Sequence, residues 1–94
     1  MNKNDIVTFL SDNRKVLRDR YKVSRIGLFG SYAVNLQRDD SDIDLVVSMP
    51  SDFDLYYDLK EFLEMNFHKR VDLGLEKTIR ELVRLSIKDE VIYV

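Results

Sequence analysis

At 94 residues the chain reads as a single domain with a modest core, so a partner subunit or a self-association surface is expected to add to its stability. Apolar residues make up 45% and charged residues 34%, a globular balance, and the formal net charge of -2 makes no electrostatic case for wrapping nucleic acid. The absence of cysteine excludes disulfides and thiolate metal sites and points to an intracellular, cytoplasmic location; the polar start Met1-Asn2-Lys3-Asn4-Asp5 is followed by no apolar h-region, so no signal peptide is expected, and no apolar run approaches the roughly 20 residues of a membrane span.

Three Gly and one Pro leave no room for a flexible linker. Ile6, Phe9, Leu10, Val16 and Leu17 recur at helical spacing and predict a helix over Asn4 to Arg20. Ser24 to Phe29 is a short apolar run that stops at Gly30, as a strand does. Ser31 is a good N-cap type, so Tyr32 to Leu36 reads as one or two helical turns, followed by a polar loop over Gln37 to Ser41. Asp42 to Ser48 reads as a second strand, ended by Pro50. Ser51 or Asp52 caps a helix of about fourteen residues, with Leu55, Leu59, Phe62 and Leu63 along one stripe. Val71 to Leu75 alternates like a strand. Thr78-x-x-Glu81 has the form of a capping box and predicts a last helix to about Ile87. Val91-Ile92-Tyr93-Val94 closes the chain as an edge strand or a docked segment. The order predicts an α/β or α+β fold, a small sheet covered by helices.

Two carboxylates at i and i+2 of a strand share a face. Asp42 and Asp44 would stand roughly 6–7 Å apart at Cα and repel each other unless a cation lies between them. Mg²⁺ takes oxygen ligands, often one or two carboxylates plus substrate phosphates. Asp72 alternates with Val71 and Leu73 and joins the pair if its strand lies beside the strand at 42–48. Three such carboxylates could hold two Mg²⁺ ions about 4 Å apart. Gly30 allows close backbone approach, and Ser31 with the following amides can meet an anion. A phosphate cradle beside metal carboxylates fits phosphoryl or nucleotidyl transfer. The plainer readings are a solvated strand end for Asp42 and Asp44, an exposed strand residue for Asp72 and a simple helix cap for Ser31. Lone His68 reads as a surface residue, Lys69 and Arg70 as a solvated turn that could reach phosphates, and Tyr56 and Tyr57 as helix packing. Lys77, Arg80, Arg84 and Lys88 follow helical spacing and read as a solvated face that could also meet an acidic partner.

Gly30-Ser31, ten intervening residues and Asp42-x-Asp44 resemble the signature of the DNA polymerase β-like nucleotidyltransferases. Ile26 to Ala33, Ser41 to Val47, Phe53 to Tyr56, Val71 to Leu73 and Val91 to Val94 are similar to the small MNT antitoxin branch, so the resemblance covers nearly the whole chain. It implies the nucleotidyltransferase fold and an antitoxin of a type VII HEPN/MNT toxin–antitoxin system. Such antitoxins bind a HEPN-domain ribonuclease toxin and transfer AMP from ATP to a toxin tyrosine. By the same resemblance, Gly30 and Ser31 would hold the triphosphate, Asp42 and Asp44 would bind Mg²⁺, and Asp72 would be the third carboxylate and general base. Many members read Gly-Ser-Tyr-Ala-Arg-Gly-Glu in the first motif; here Val34-Asn35-Leu36 replaces the last three residues. The lost arginine motivates a second reading, a binding module that neutralises its toxin by occlusion with weak or no catalysis. A third reading is transfer to a small molecule or RNA.

Overall fold

The structure is a computed structural model that describes residues 1–78 and 91–94. Asn2 opens it with a reciprocal cap. Its side chain accepts from the Asp5 amide at 2.9 Å, and the Asp5 carboxylate accepts from the Asn2 amide at 2.9 Å. These bonds satisfy first-turn donors of α1, Lys3–Asp12, which buries Ile6 and Leu10. The single helix expected over Asn4 to Arg20 is interrupted at Asn13, and α2 runs over Arg14–Tyr21. The Phe9 carbonyl accepts from both the Asn13 backbone amide at 3.0 Å and the Asn13 side-chain amide at 2.8 Å, so Asn13 closes α1 as a C-cap. Ser11, Asp12 and Asn13 are residues that favour such local bonds over helix interiors. α2 ends on Lys22, which takes a left-handed conformation at φ 58°.

β1, Arg25–Phe29, pairs antiparallel with β2, Ile43–Ser48, and β2 pairs parallel with β3, Val71–Leu75. A parallel pair needs a long crossover, here α3, Phe53–Phe67. Asp52 is the cap, accepting from the Leu55 amide at 3.0 Å. At the far end His68 turns the chain at φ 56°. Glu64 then reaches forward, its carboxylate accepting from the Val71 amide at 2.8 Å, which ties the start of β3 to the helix. The closing residues are an edge strand: β4, Ile92–Tyr93, pairs antiparallel with β1. The sheet order is β3-β2-β1-β4 and the sheet is mixed, within the small sheet and helices that the α/β reading anticipated.

Strand alternation divides the two faces of the sheet. Leu28, Ile43, Leu45, Val47, Val71 and Leu73 join the buried core with Leu10, Leu17, Leu59 and Leu63 from the helices. Phe9 on α1 meets Phe67 on α3 with ring centroids 4.9 Å apart, and Tyr21 on α2 meets Phe62 at 5.2 Å. The opposite face carries Asp44 and Asp72. The chain is already helical at 76–78, so that helix begins before the expected cap at Thr78; the rest of the expectation, to Ile87, lies outside the described residues. No helix among the described residues is long and apolar enough to cross a membrane.

Candidate active site

The end of β1 and the starts of β2 and β3 lie at one edge of the sheet. Gly30 leaves β1 at φ 75°, a conformation that L side chains rarely adopt. A Cβ there would also collide with the Asp44 carboxylate, 2.9 Å from its Cγ. Glycine thus permits the backbone of the first motif to touch the carboxylate of the second. The expected short helix after it is a hydrogen-bonded turn instead. The Ser31 carbonyl accepts from the Val34 amide at 3.3 Å and from the Leu36 amide at 2.9 Å, and Asn35 stands left-handed at φ 60°. That closing bond and the left-handed residue end the turn as a helix C-terminus would end, before a full helix forms. Tyr32 and Ala33 anchor it in the core. The Ser31 hydroxyl makes no hydrogen bond among the described residues, so its predicted capping role is absent there.

Asp42 lies one residue before β2 and is exposed, whereas Asp44 is half-buried within the strand. The parallel register sets Asp44 directly opposite Asp72. The pairing on which the convergence of Asp72 depends is therefore present. Asp44 shows the consequence. Its carboxyl is pushed up from 3.8 to about 6, first by burial, then by the negative charge of Asp72, then by that of Asp42. A hydrogen bond with Asp72 favours its protonated form as well. The three carboxylates thus interact electrostatically at one edge.

Among the described residues, no three His, Cys, Asp or Glu side chains stand in a preformed metal-ligand arrangement. The donors nevertheless suit a hard cation. They are carboxylate oxygens, one is desolvated, and like charges keep it from ionising readily. Mg²⁺ commonly takes only one or two carboxylates and completes its shell with water and substrate phosphate, so a preformed cage is not required.

Several secondary residues also find their places. His68 is exposed at the end of α3. The Tyr56 hydroxyl donates to the Leu73 carbonyl of β3, as a packing residue would. Tyr57 instead lies half-exposed against Phe53, ring centroids 4.7 Å apart. With Pro50, Leu73 and Gly74 these aromatic residues line a groove of about 470 Å³ along β3. Lys69 donates to the Asp39 carbonyl at 2.7 Å and pins the loop that leads into β2. Of the basic series at 77, 80, 84 and 88, only Lys77 is among the described residues. The left-handed Asn35 was missed as a structural element, although Asn is the commonest substitute for Gly at such positions.

Residues 10–94 match the family model of the nucleotidyltransferase domain. The chain belongs to that family. This nucleotidyltransferase is 40% identical over 95 residues to a candidate protein adenylyltransferase of Methanocaldococcus jannaschii, covering 96% of this chain and 95% of that one. It is 34% identical over 92 residues to the protein adenylyltransferase MntA of Thermococcus cleftensis, covering 96% of this chain and 93% of that one. Solved toxin–antitoxin complexes contain similar folds. A mutant MntA–HpeT complex aligns with a TM-score of 0.65 at 24% identity, over 99% of this chain and 71% of the other. A toxin–antitoxin complex with AMP-PNP aligns with a TM-score of 0.57 at 32% identity, over 82% of this chain and 59% of the other.

Proposed function

We propose that this nucleotidyltransferase is the antitoxin of a HEPN/MNT pair and transfers AMP from ATP to a tyrosine hydroxyl of its HEPN ribonuclease toxin. The observation that carries the chemistry is the rung pairing Asp44 with Asp72, two residues from Asp42 and against Gly30. The relatives named as protein adenylyltransferases support a protein acceptor, and the structural neighbours support a toxin partner.

In this reading Gly30 and Ser31 receive the triphosphate, with the Ser31 hydroxyl donating to a phosphate oxygen. Asp42 and Asp44, with Asp72, would hold Mg²⁺, which when bound neutralises phosphate charge and lowers the pKa of an attacking hydroxyl. Asp72 accepts the proton of the tyrosine hydroxyl as its oxygen bonds to the α-phosphorus. The bond between the α-phosphorus and the bridging oxygen breaks, and pyrophosphate leaves. Asp42 and Asp72 are exposed, which suits an acceptor delivered on another protein's surface.

The test is incubation of the purified chain with its toxin partner, labelled ATP and Mg²⁺. Label is expected on a toxin tyrosine. Asp42→Asn, Asp44→Asn or Asp72→Asn should each lower the rate by about 10²-fold or more, the range found for positioned acid–base and charge-stabilising groups. Persistent transfer in the Asp42 and Asp44 variants would overturn the metal assignment. Tight binding of the toxin with no label would instead favour neutralisation by occlusion, the reading that Val34 in place of arginine motivates. Transfer to a drug, metabolite or RNA end without any protein acceptor would replace both.

A further inference from the structure

The Ile43 amide donates to the Arg70 carbonyl at 3.0 Å. The parallel ladder therefore extends one step beyond the Ile43–Val71 pair and sets Arg70 beside Asp42. Val71 and Leu73 are buried in the core, so alternation directs Arg70 and Asp72 to the opposite, carboxylate-bearing face. Arg70 is exposed, and no ion pair among the described residues includes it. Its neighbour Lys69 is committed to the Asp39 carbonyl. Position 34, on the turn after Gly30-Ser31, is a valine. The site thus has three carboxylates, no cation on its phosphate turn and, at its outer edge, the Arg70 guanidinium, which is in no ion pair among the described residues.

Space orders these parts. Gly30-Ser31 follows β1, Asp42 and Asp44 belong to β2, and Arg70 and Asp72 to β3. A triphosphate that starts on the Gly30-Ser31 turn and crosses the β2 carboxylates brings its transferring phosphate toward β3. Charge on the non-bridging oxygens of that phosphate must be stabilised while the acceptor attacks. A guanidinium offers planar paired donors matched to phosphate oxygens.

Resting on the nucleotidyl-transfer reading above, we propose that Arg70 binds the non-bridging oxygens of the nucleotide's α-phosphate from the β3 side, supplying the positive charge that the turn at Val34 lacks. The interaction strengthens as the acceptor oxygen bonds to phosphorus and the pyrophosphate departs. It therefore acts on turnover more than on nucleotide affinity.

The experiment compares wild type with Arg70→Ala and Arg70→Lys in steady-state AMP transfer to the toxin, using ATP and the two diastereomers of ATP that carry sulfur on the α-phosphate. Arg70→Ala should lower kcat by about 10²-fold with the KM for ATP changed less than about threefold. Arg70→Lys should recover part of the loss, because it restores charge without the planar fork. Wild type should discriminate between the two thio-diastereomers, and Arg70→Ala should discriminate less, an effect that a purely structural role would not produce. Thermal unfolding of both variants should match wild type, since the side chain is exposed. Unchanged kcat, or a raised KM with kcat intact, would overturn the assignment while leaving AMP transfer standing. A wild-type chain that transfers nothing to the toxin would sink the functional reading itself, and Arg70's role with it.

Discussion

Asn35 stands in the left-handed region at φ 60°, where the resembled motif carries glycine. Asparagine tolerates that region better than other side-chain-bearing residues, so the turn that presents Ser31 keeps its closing bond from Leu36. The departure at Val34-Asn35-Leu36 therefore removes a charge but retains a backbone shape. Asn35→Gly should leave the KM for ATP near wild type. Asn35→Val forces a β-branched side chain into a conformation that costs about 1–2 kcal/mol, and it should raise that KM several-fold. Parallel kinetics and thermal unfolding of the two variants check this; equal behaviour would show that the turn does not set nucleotide binding. Gly30 is the stricter position, because a side chain there meets both the positive φ and the Asp44 carboxylate.

Elements are held at the site by a few polar ties over an apolar core. Glu64 on α3 accepts from the first amide of β3, and Tyr56 on the same helix donates to the Leu73 carbonyl. β3 is an edge strand, so these bonds replace part of what a neighbouring strand would provide. They bracket Asp72 between Val71 and Leu73. Tyr56→Phe should remove the tie and leave the half-buried carbonyl without that donor, lowering stability by about 1 kcal/mol. Urea unfolding monitored by circular dichroism measures it, with an unchanged slope showing that only stability moved. At the other edge β4 is clamped differently: the Arg25 guanidinium lies 3.8 Å from the Tyr93 ring centroid, and the Val94 amide donates to Ile26 at 3.0 Å.

At the scale of the whole molecule, the carboxylates of the proposed site weigh against stability. The Asp44 pKa is raised to about 6 in the folded chain, so folding favours its protonated form. That preference is fully present below the ordinary value of 3.8 and is lost as pH rises through about 6. Near neutral pH the ionised group opposes folding, with solvent screening reducing the effect at this half-buried position. Asp44→Asn should therefore melt a few degrees above wild type at neutral pH without divalent metal, and the difference should shrink toward pH 4. Mg²⁺ with a non-hydrolysable ATP analogue should raise the melting temperature of wild type at neutral pH and leave Asp44→Asn unmoved. A melting-temperature difference independent of pH would contradict the electrostatic account.

The amino-acid sequence by itself determined the kind of β1, β2, β3 and the central helix, because alternation and the 3.6-residue period are local properties, whereas the closing segment was left open between edge strand and docked segment. It also determined the spacing from Gly30-Ser31 to Asp42 and Asp44, from which the chemistry could be read. Its errors share a cause. The break at Asn13 and the turn at Ser31 to Leu36 are set by local capping hydrogen bonds and a left-handed residue, and periodicity does not carry that information. Tertiary structure alone decided that β3 lies parallel to β2 in the register that puts Asp72 opposite Asp44 and Arg70 beside Asp42. A register is a choice among pairings of distant segments. Here burial of Val71 and Leu73 against the same core as Ile43 and Leu45 makes that choice, and a slip of β3 by one residue would turn Asp72 into the apolar face.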